Sequence, residues 1–332
     1  MSSSDLKLKI RNSKLLSGAA LMLSLWALFL LSALVISWAL DIDSRLALSG
    51  NANRSLEAEA MACSGAEVAL AVKPGSPNLN RQFGGGKSYE ARITGEGGRL
   101  DINWLVTRGP ERLEILRRFL EIRGVDLNER DGMIDSLLDW VSPNLGLHRL
   151  NAPPESENYH PPHALLARID ELKNVAGWTE FTSTPGWDDD FTVNTMLNGG
   201  GLIDLAWASR DVLLALPGTT PDRVDRFLEL RRGPDGIDGT ADDAKFGSPN
   251  EALVALGLNV NPPGPLASLT TLKVPVFRVV SVGKAGNAMR TVQMVFRKGQ
   301  GGAQVGGGQG GAVFGSQLGA GFGVQLITWK EF

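Results

Sequence analysis

The sequence predicts an α+β chain: a long N-terminal membrane-spanning helix, an antiparallel sheet, and a large helical insert interrupting that sheet. Three observations carry this. Residues 19–40 (AALMLSLWALFLLSALVISWAL) form an uninterrupted apolar run. Residues 88–94, 274–282, 291–298 and 324–329 alternate like strands and lie towards the two ends of the remaining chain. Between them, apolar residues recur at helical spacing.

The apolar run of about 22 residues is long enough to cross a hydrocarbon core of ~30 Å as a helix. Its only polar side chains are Ser24, Ser32 and Ser37, which can bond back to helix carbonyls. Lys7, Lys9, Arg11 and Lys14 precede it, and Asp41 and Asp43 follow directly. That asymmetry places the N-terminus in the cytoplasm and the body beyond the membrane. A cleaved secretory signal has a shorter apolar region and an A-x-A-like site. Here the run is longer and Ala33 and Ala39 are scattered, which favours a retained span.

Residues 44–72 continue as helix, rich in alanine and glutamate, which are strong helix formers. Gly50 and Gly65 are expected to weaken it locally. The Pro74-Gly75-Ser76-Pro77 cluster ends it. Residues 88–94 (SYEARIT) read as a strand, 95–98 as a turn and 100–106 as a further extended piece. Residues 111–123 place Leu113, Leu116, Phe119 and Leu120 on one helical face, and residues 130–141 do the same with Met133, Ile134, Leu137, Leu138 and Val141. A Pro- and Asn-rich loop follows over 142–162, and a third helix is predicted over 164–174. Residues 212–216, 221–232 and 248–256 form a second helical group. The tract 299–323 is too rich in glycine to pack a core and reads as a loop joining two neighbouring strands.

Composition excludes several functions. The net charge of −3 favours neither nucleic acid nor an anionic lipid surface. The single cysteine, Cys63, has no internal disulfide partner and reads as a small buried hydrophobe on the long helix. His160 and His163 stand three apart in the Pro-rich loop, with no third partner suggested by the sequence. No nucleophile elbow or catalytic grouping is present, so the chain reads as a non-enzyme.

Two segments invite a ligand. Residues 233–243 (GPDGIDGTADD) carry Asp235, Asp238, Asp242 and Asp243 among glycines, and such carboxylates can converge on a hard cation such as Ca2+. The spacing is not that of an EF-hand, and a solvated surface loop is the alternative. Asp188, Asp189 and Asp190 form a weaker cluster, and Glu155 and Glu157 are further candidate ligands. Residues 212–231 read as helix, Leu216-Pro217-Gly218 hairpin, helix. Such a hairpin can hold a phosphate at a helix N-terminus, but Thr219, Thr220 and Asp222 surround this one instead of lysine or arginine.

Several motifs in order resemble the general secretion pathway protein K family, the minor pseudopilin of type II secretion. They are a basic leader ending at Gly18 immediately before the apolar helix, EAMACSGAEVALA at 59–71, GRLDINWL at 98–105, DSLLDWV at 135–141 and the 155–178 segment. The 216–218 hairpin and the terminal strands also fit. The resemblance implies a pilin-like antiparallel sheet with a helix-hairpin-helix-like insert. It divides the chain into a leader (1–18), a transmembrane and pilin-like helix (19–73), first strands (74–108), a helical insert (109–270) and last strands (271–332). It implies cleavage by prepilin peptidase after Gly18, methylation of Ala19, and a non-glutamate at the fifth mature position, here Leu23. Implied partners are other minor pseudopilins (types I, J and H), the major pseudopilin, the peptidase and the bacterial inner membrane, with no nucleic acid. Some members bind calcium in the insert. Where the family carries an Asp-rich loop after Asp-Trp this chain has Val141-Ser142-Pro143-Asn144, so ligands do not carry over residue by residue. The competing readings are a membrane-anchored DNA receptor, a tethered hydrolase and a tip minor pilin of a type IV pilus.

Overall fold

The computed structural model describes residues 3–107, 109–143, 148–260, 264–299 and 323–332, with side chains from residue 20 onward. Helix α1 spans Ser3–Ala71 without interruption, about 100 Å at 1.5 Å per residue. Up to residue 49 its described side chains are exposed, and among the described residues the contacts with the sheet come from its C-terminal part, from about residue 50 onward.

Five strands form one antiparallel sheet: β1 (Asn80–Phe83), β2 (Lys87–Gly95), β7 (Val276–Ala285), β8 (Ala288–Lys298) and β9 (Val324–Glu331), in that spatial order. β2 and β7 pair directly from Lys87↔Ala285 to Gly95↔Phe277. Everything between them in sequence is therefore an excursion from adjacent strands. The glycine tract joins β8 to its neighbour β9, as expected. Its ends close through Gly299 N–H donating to Gly323 O at 2.6 Å, while residues 300–322 lie outside the described ones.

Helix α1 packs on this sheet through small residues. Ala62, Ala66 and Ala69 are fully buried against Ile93, Val279, Val292, Met294 and Phe296. Gly65 does not interrupt the helix as propensity suggests. A Cβ there would stand 2.3 Å from Ser281 Oγ and 2.9 Å from the Tyr89 ring, so glycine sets the helix-to-sheet distance. Gly283 on β7 does the same from the other side, where a Cβ would meet Ala58 O at 2.0 Å. Cys63 is half-buried beside this core.

The excursion holds β3 (Leu100–Asp101), α2 (Ile102–Thr107), α3 (Pro110–Ile122), α4 (Leu127–Val141), α5 (Thr179–Ser183), β4 (Phe191–Thr192), α6 (Thr195–Gly199), β5 (Ile203–Asp204), α7 (Arg210–Ala215), α8 (Pro221–Arg232), α9 (Pro249–Ala255), α10 (Leu266–Leu269) and β6 (Thr270–Thr271). Two short parallel ribbons, β3–β4 and β5–β6, tie it together. Its core is aromatic and aliphatic, around Trp178, Phe119, Phe191 and Phe227.

Two predicted elements differ. Residues 100–106 are extended for only two positions before α2 begins, because Asp101 Oδ1 accepts Trp104 N–H and caps the helix. The same carboxylate's Oδ2 accepts the N–H groups of Thr195 and Met196, capping α6 as well. The helix expected over 164–174 is a single 3-10 segment, Ile169–Asn174. The buried Asn103 amide takes both backbone groups of Leu166 (Nδ2 to Leu166 O 2.8 Å, Leu166 N to Oδ1 2.9 Å), which holds that stretch extended.

Candidate functional site: the anchor helix and an acidic loop at its foot

By length and composition, one described helix is able to cross a membrane, the one containing Ala20–Ala71. Leu23 is 71 % exposed on it. Gly18 and Ala19 lie within the helical backbone, and their surroundings fall outside what the structure describes. Beyond the apolar run, Ile42, Leu46 and Leu56 remain exposed. At 3.6 residues per turn they share one face, opposite the buried Ala58, Ala62, Ala66 and Ala69. The helix thus has one face on the sheet and an opposite apolar stripe without a partner among the described residues.

At the foot of α1 the turn at Pro74-Gly75 meets residues 233–243. Gly75 lies against Thr240, and Gly239 sits where a Cβ would strike Pro74 and the Trp207 ring. The Trp207 ring also fills the space over Gly95, where a Cβ would approach it to 2.3 Å, while a Cβ at Gly98 would strike the Trp207 backbone carbonyl at 2.3 Å. One indole therefore joins the end of β2, the excursion and the acidic loop, and two glycines, Gly95 and Gly239, make room for it. Sequence reading missed Trp207, although the glycines at 95 and 239 were its visible signal.

Within the loop, Asp235, Asp242 and Asp243 each present a carboxylate oxygen within 4.8 Å of the other two. The loop's own donors hold them in place. Gly239 N–H reaches Asp243 Oδ2 (2.7 Å), Asp235 N–H reaches Asp242 Oδ2 (3.2 Å), and the Thr240 hydroxyl donates to Asp242 Oδ1 (2.7 Å). That hydroxyl is the main reason the Asp242 carboxyl titrates below its usual range. An all-oxygen, triply acidic donor set on a glycine-hinged loop fits a hard divalent cation.

Asp238 does not join the triplet. It pairs with Arg231 (2.9 Å) and Arg232 (3.1 Å). Arg231 is only 2 % exposed and also donates to Leu205 O and Ala208 O, so Asp238 neutralises a buried cation. Glu155 and Glu157 are not part of the triplet either, and Glu155 lies against His163 at 2.9 Å. Of the weaker cluster, Asp190 is buried and its backbone carbonyl accepts Leu100 N–H, while Asp189 O accepts Arg99 Nε.

A buried polar joint fastens the excursion to the sheet. Glu96 is fully buried between two arginines. Arg278 of β7 approaches it in a forked pair (2.8 and 2.7 Å), and Arg99 stands at 3.2 Å. Thr192 adds a hydroxyl at 2.6 Å. Burial alone would raise the Glu96 carboxyl, but the two guanidiniums outweigh it and hold it ionised below the usual range. The 216–218 hairpin is a packing unit: Thr219 Oγ1 donates to Leu214 O and Leu216 O, and Leu213, Ala215 and Leu216 are buried. Asp222 stands in the first turn of α8, where an anion would otherwise be drawn.

No protein-family model and no curated protein sequence matches the chain. Among solved structures it is similar to a chain of the GspK-GspI-GspJ complex from the type 2 secretion system of enterotoxigenic Escherichia coli. The TM-score is 0.52 at 12 % identity, covering 78 % of this chain and 95 % of that one. At that identity the likeness is one of fold.

Proposed function

We propose that this chain is a minor pseudopilin of a type II secretion system, a structural subunit that sits at the pseudopilus tip and helps start its assembly for export of folded proteins. The observation that supports it most is a fold shared over 78 % of the chain with a subunit of a secretion complex, on a body carried by an exposed apolar helix.

In this reading prepilin peptidase cuts after Gly18 and Ala19 is methylated. The apolar run holds the subunit in the inner membrane, N-terminus cytoplasmic and body periplasmic. The Ile42, Leu46, Leu56 stripe continues that surface outward and packs against helices of the other pseudopilins, of types I, J and H and the major one. Leu23 offers no carboxylate to the amine of a neighbouring subunit, so nothing draws a further subunit above this one. The bulky excursion would also block a subunit from stacking over this one. Asp235, Asp242 and Asp243 would hold a calcium ion, whose charge would draw the loop's carboxylates together beside the foot of α1.

The test is the intact mass of the protein after co-expression with a prepilin peptidase, followed by capture with minor pseudopilins I, J and H. Loss of residues 1–18 plus one methyl group, with co-purification of all three, is the expected result. An uncut chain, with the peptidase active on a control pilin, would sink the reading.

A further inference from the structure

The Pro-rich loop after α4 brings together what its sequence spacing left apart. Ser156 and Tyr159 exchange both backbone hydrogen bonds (3.0 and 3.1 Å). Glu155 and His160 are the next cross-strand pair of this small ribbon, on one side of it. Tyr159 Oη accepts Ala176 N–H at 3.4 Å and its ring lies 6.2 Å from that of Trp140, which ties the ribbon to the excursion's core. His160 and Pro161 each precede a proline and are held extended. At three residues per polyproline turn, His160 and His163 fall on one edge.

His163 is built unusually. It is the one non-glycine with positive φ (50°) among the described residues, a conformation that costs energy unless the surroundings impose it. Its Nδ1 lies 2.9 Å from Ser142 O. A carbonyl only accepts, so Nδ1 carries the hydrogen. In the neutral ring, Nε2 then presents a bare lone pair 2.9 Å from Glu155 Oε1, itself an acceptor. Something positive must lie between them. A proton can serve, and contact with Glu155 does raise the His163 imidazole above its ordinary value. A metal ion serves as well, and the second histidine is in place: His160 Nδ1 stands 3.9 Å from Glu155 Oε2 on a ring that is 67 % exposed, so it can swing in. A ring whose far N–H is fixed on a backbone carbonyl is the arrangement that orients metal-bound histidine.

We propose that Glu155, His160 and His163 form a binding site for a borderline-soft divalent cation of the Zn2+ type, with water in the fourth position. Two imidazoles and one carboxylate are a zinc donor set. The site is chemically distinct from the all-oxygen triplet of Asp235, Asp242 and Asp243. Bound metal would clamp the loop to the end of α4. That loop contributes Asn151 and Pro153 to an open groove of about 730 Å3 that also includes Met133 and Phe181, so occupancy would fix one wall of it.

The experiment is calorimetric titration of the full chain in detergent micelles with Zn2+ after chelator treatment, repeated with Co2+ as a visible-absorption probe. Binding of one ion per chain is expected. His160→Gln and Glu155→Gln, both at solvent-facing side chains, should each weaken it more than roughly 10-fold, the loss already seen for outer-shell partners. Asp242→Asn and His148→Gln should leave it unchanged. The proposal is overturned if the wild-type chain takes up no Zn2+, if affinity survives both His160→Gln and Glu155→Gln, or if Asp242→Asn abolishes it.

Discussion

Helix α1 meets its sheet through alanines and glycines, whereas the excursion closes around rings. On the sheet side, Ala62, Ala66 and Ala69 are fully buried, and Gly65 and Gly283 permit close approach. In the excursion, Phe119 and Phe191 have centroids 5.0 Å apart, Trp178 and Phe181 5.6 Å, and Trp178 Nε1 donates to Met133 O. The two surfaces use apolar burial differently. Large side chains bury much area per residue and dominate core energetics. Small ones bury little, but they bring a helix backbone against a sheet and admit only one spacing. A slim interface leaves the opposite face of α1, with Ile42, Leu46 and Leu56, free for other helices. The excursion supplies the energy that the slim interface lacks, provided the two are coupled.

The Glu96 joint is the buried ionic part of that coupling, and removing it should have the largest effect. Glu96→Gln leaves Arg278, only 8 % exposed, without its countercharge. Breaking a buried pair from one side costs about 3–5 kcal/mol. Urea unfolding should show the unfolding free energy falling by that amount, and Glu96→Gln combined with Arg278→Met should recover part of it. A loss below about 1 kcal/mol would mean the two regions are held together by something else.

Much of this division is legible in the sequence. The apolar run, the alternating strands and the amphipathic segments at 111–123 and 130–141 all appear where periodicity puts them. The strand neighbours across the glycine tract are also as read. What periodicity cannot carry is a contact made at long range. Asp101 caps two helices about 95 residues apart, and Asn103 holds Leu166 out of a helix. Glu96 reads as a turn residue, because its partner Arg278 is 182 positions away. In the acidic loop, four aspartates look equivalent in sequence. Only the buried Arg231 singles out Asp238, and its burial is not visible from its neighbours. Glu155 and His163 likewise needed the Ser156–Tyr159 turn to bring them together.

A pH titration separates the excursion from the sheet. Asp204, on β5, accepts Ala206 N–H and Val274 N–H, and burial pushes its carboxyl up to about 6. The folded protein therefore binds a proton that the unfolded chain, titrating near 3.8, has released. Stability should fall as pH rises from about 4 to about 6, by about 3 kcal/mol from this group. Asp101 and Asp190, also raised by burial, add to that slope, while Glu96 opposes it. The check is the difference in slope between wild type and Asp204→Asn across that window, because the variant loses the proton-linked part whatever its absolute stability. Equal slopes would show that Asp204 titrates in the fold as it does in the unfolded chain.

The smallest effects compare two glycines on one helix. Gly50 has open space around it, and Gly65 lies against Ser281 and Tyr89. If α1 were governed by helix propensity alone, both would gain about 0.5–1 kcal/mol on substitution by alanine. Spacing against the sheet reverses the sign at one of them. Gly65→Ala must push β7 away or force Tyr89 aside, a strain worth about 1–3 kcal/mol, while Gly50→Ala keeps its gain. Thermal melts of the two variants should move in opposite directions. Movement in the same direction would mean that the helix tilts to relieve the clash, and that the small-residue seam guides α1 without fixing its distance from the sheet.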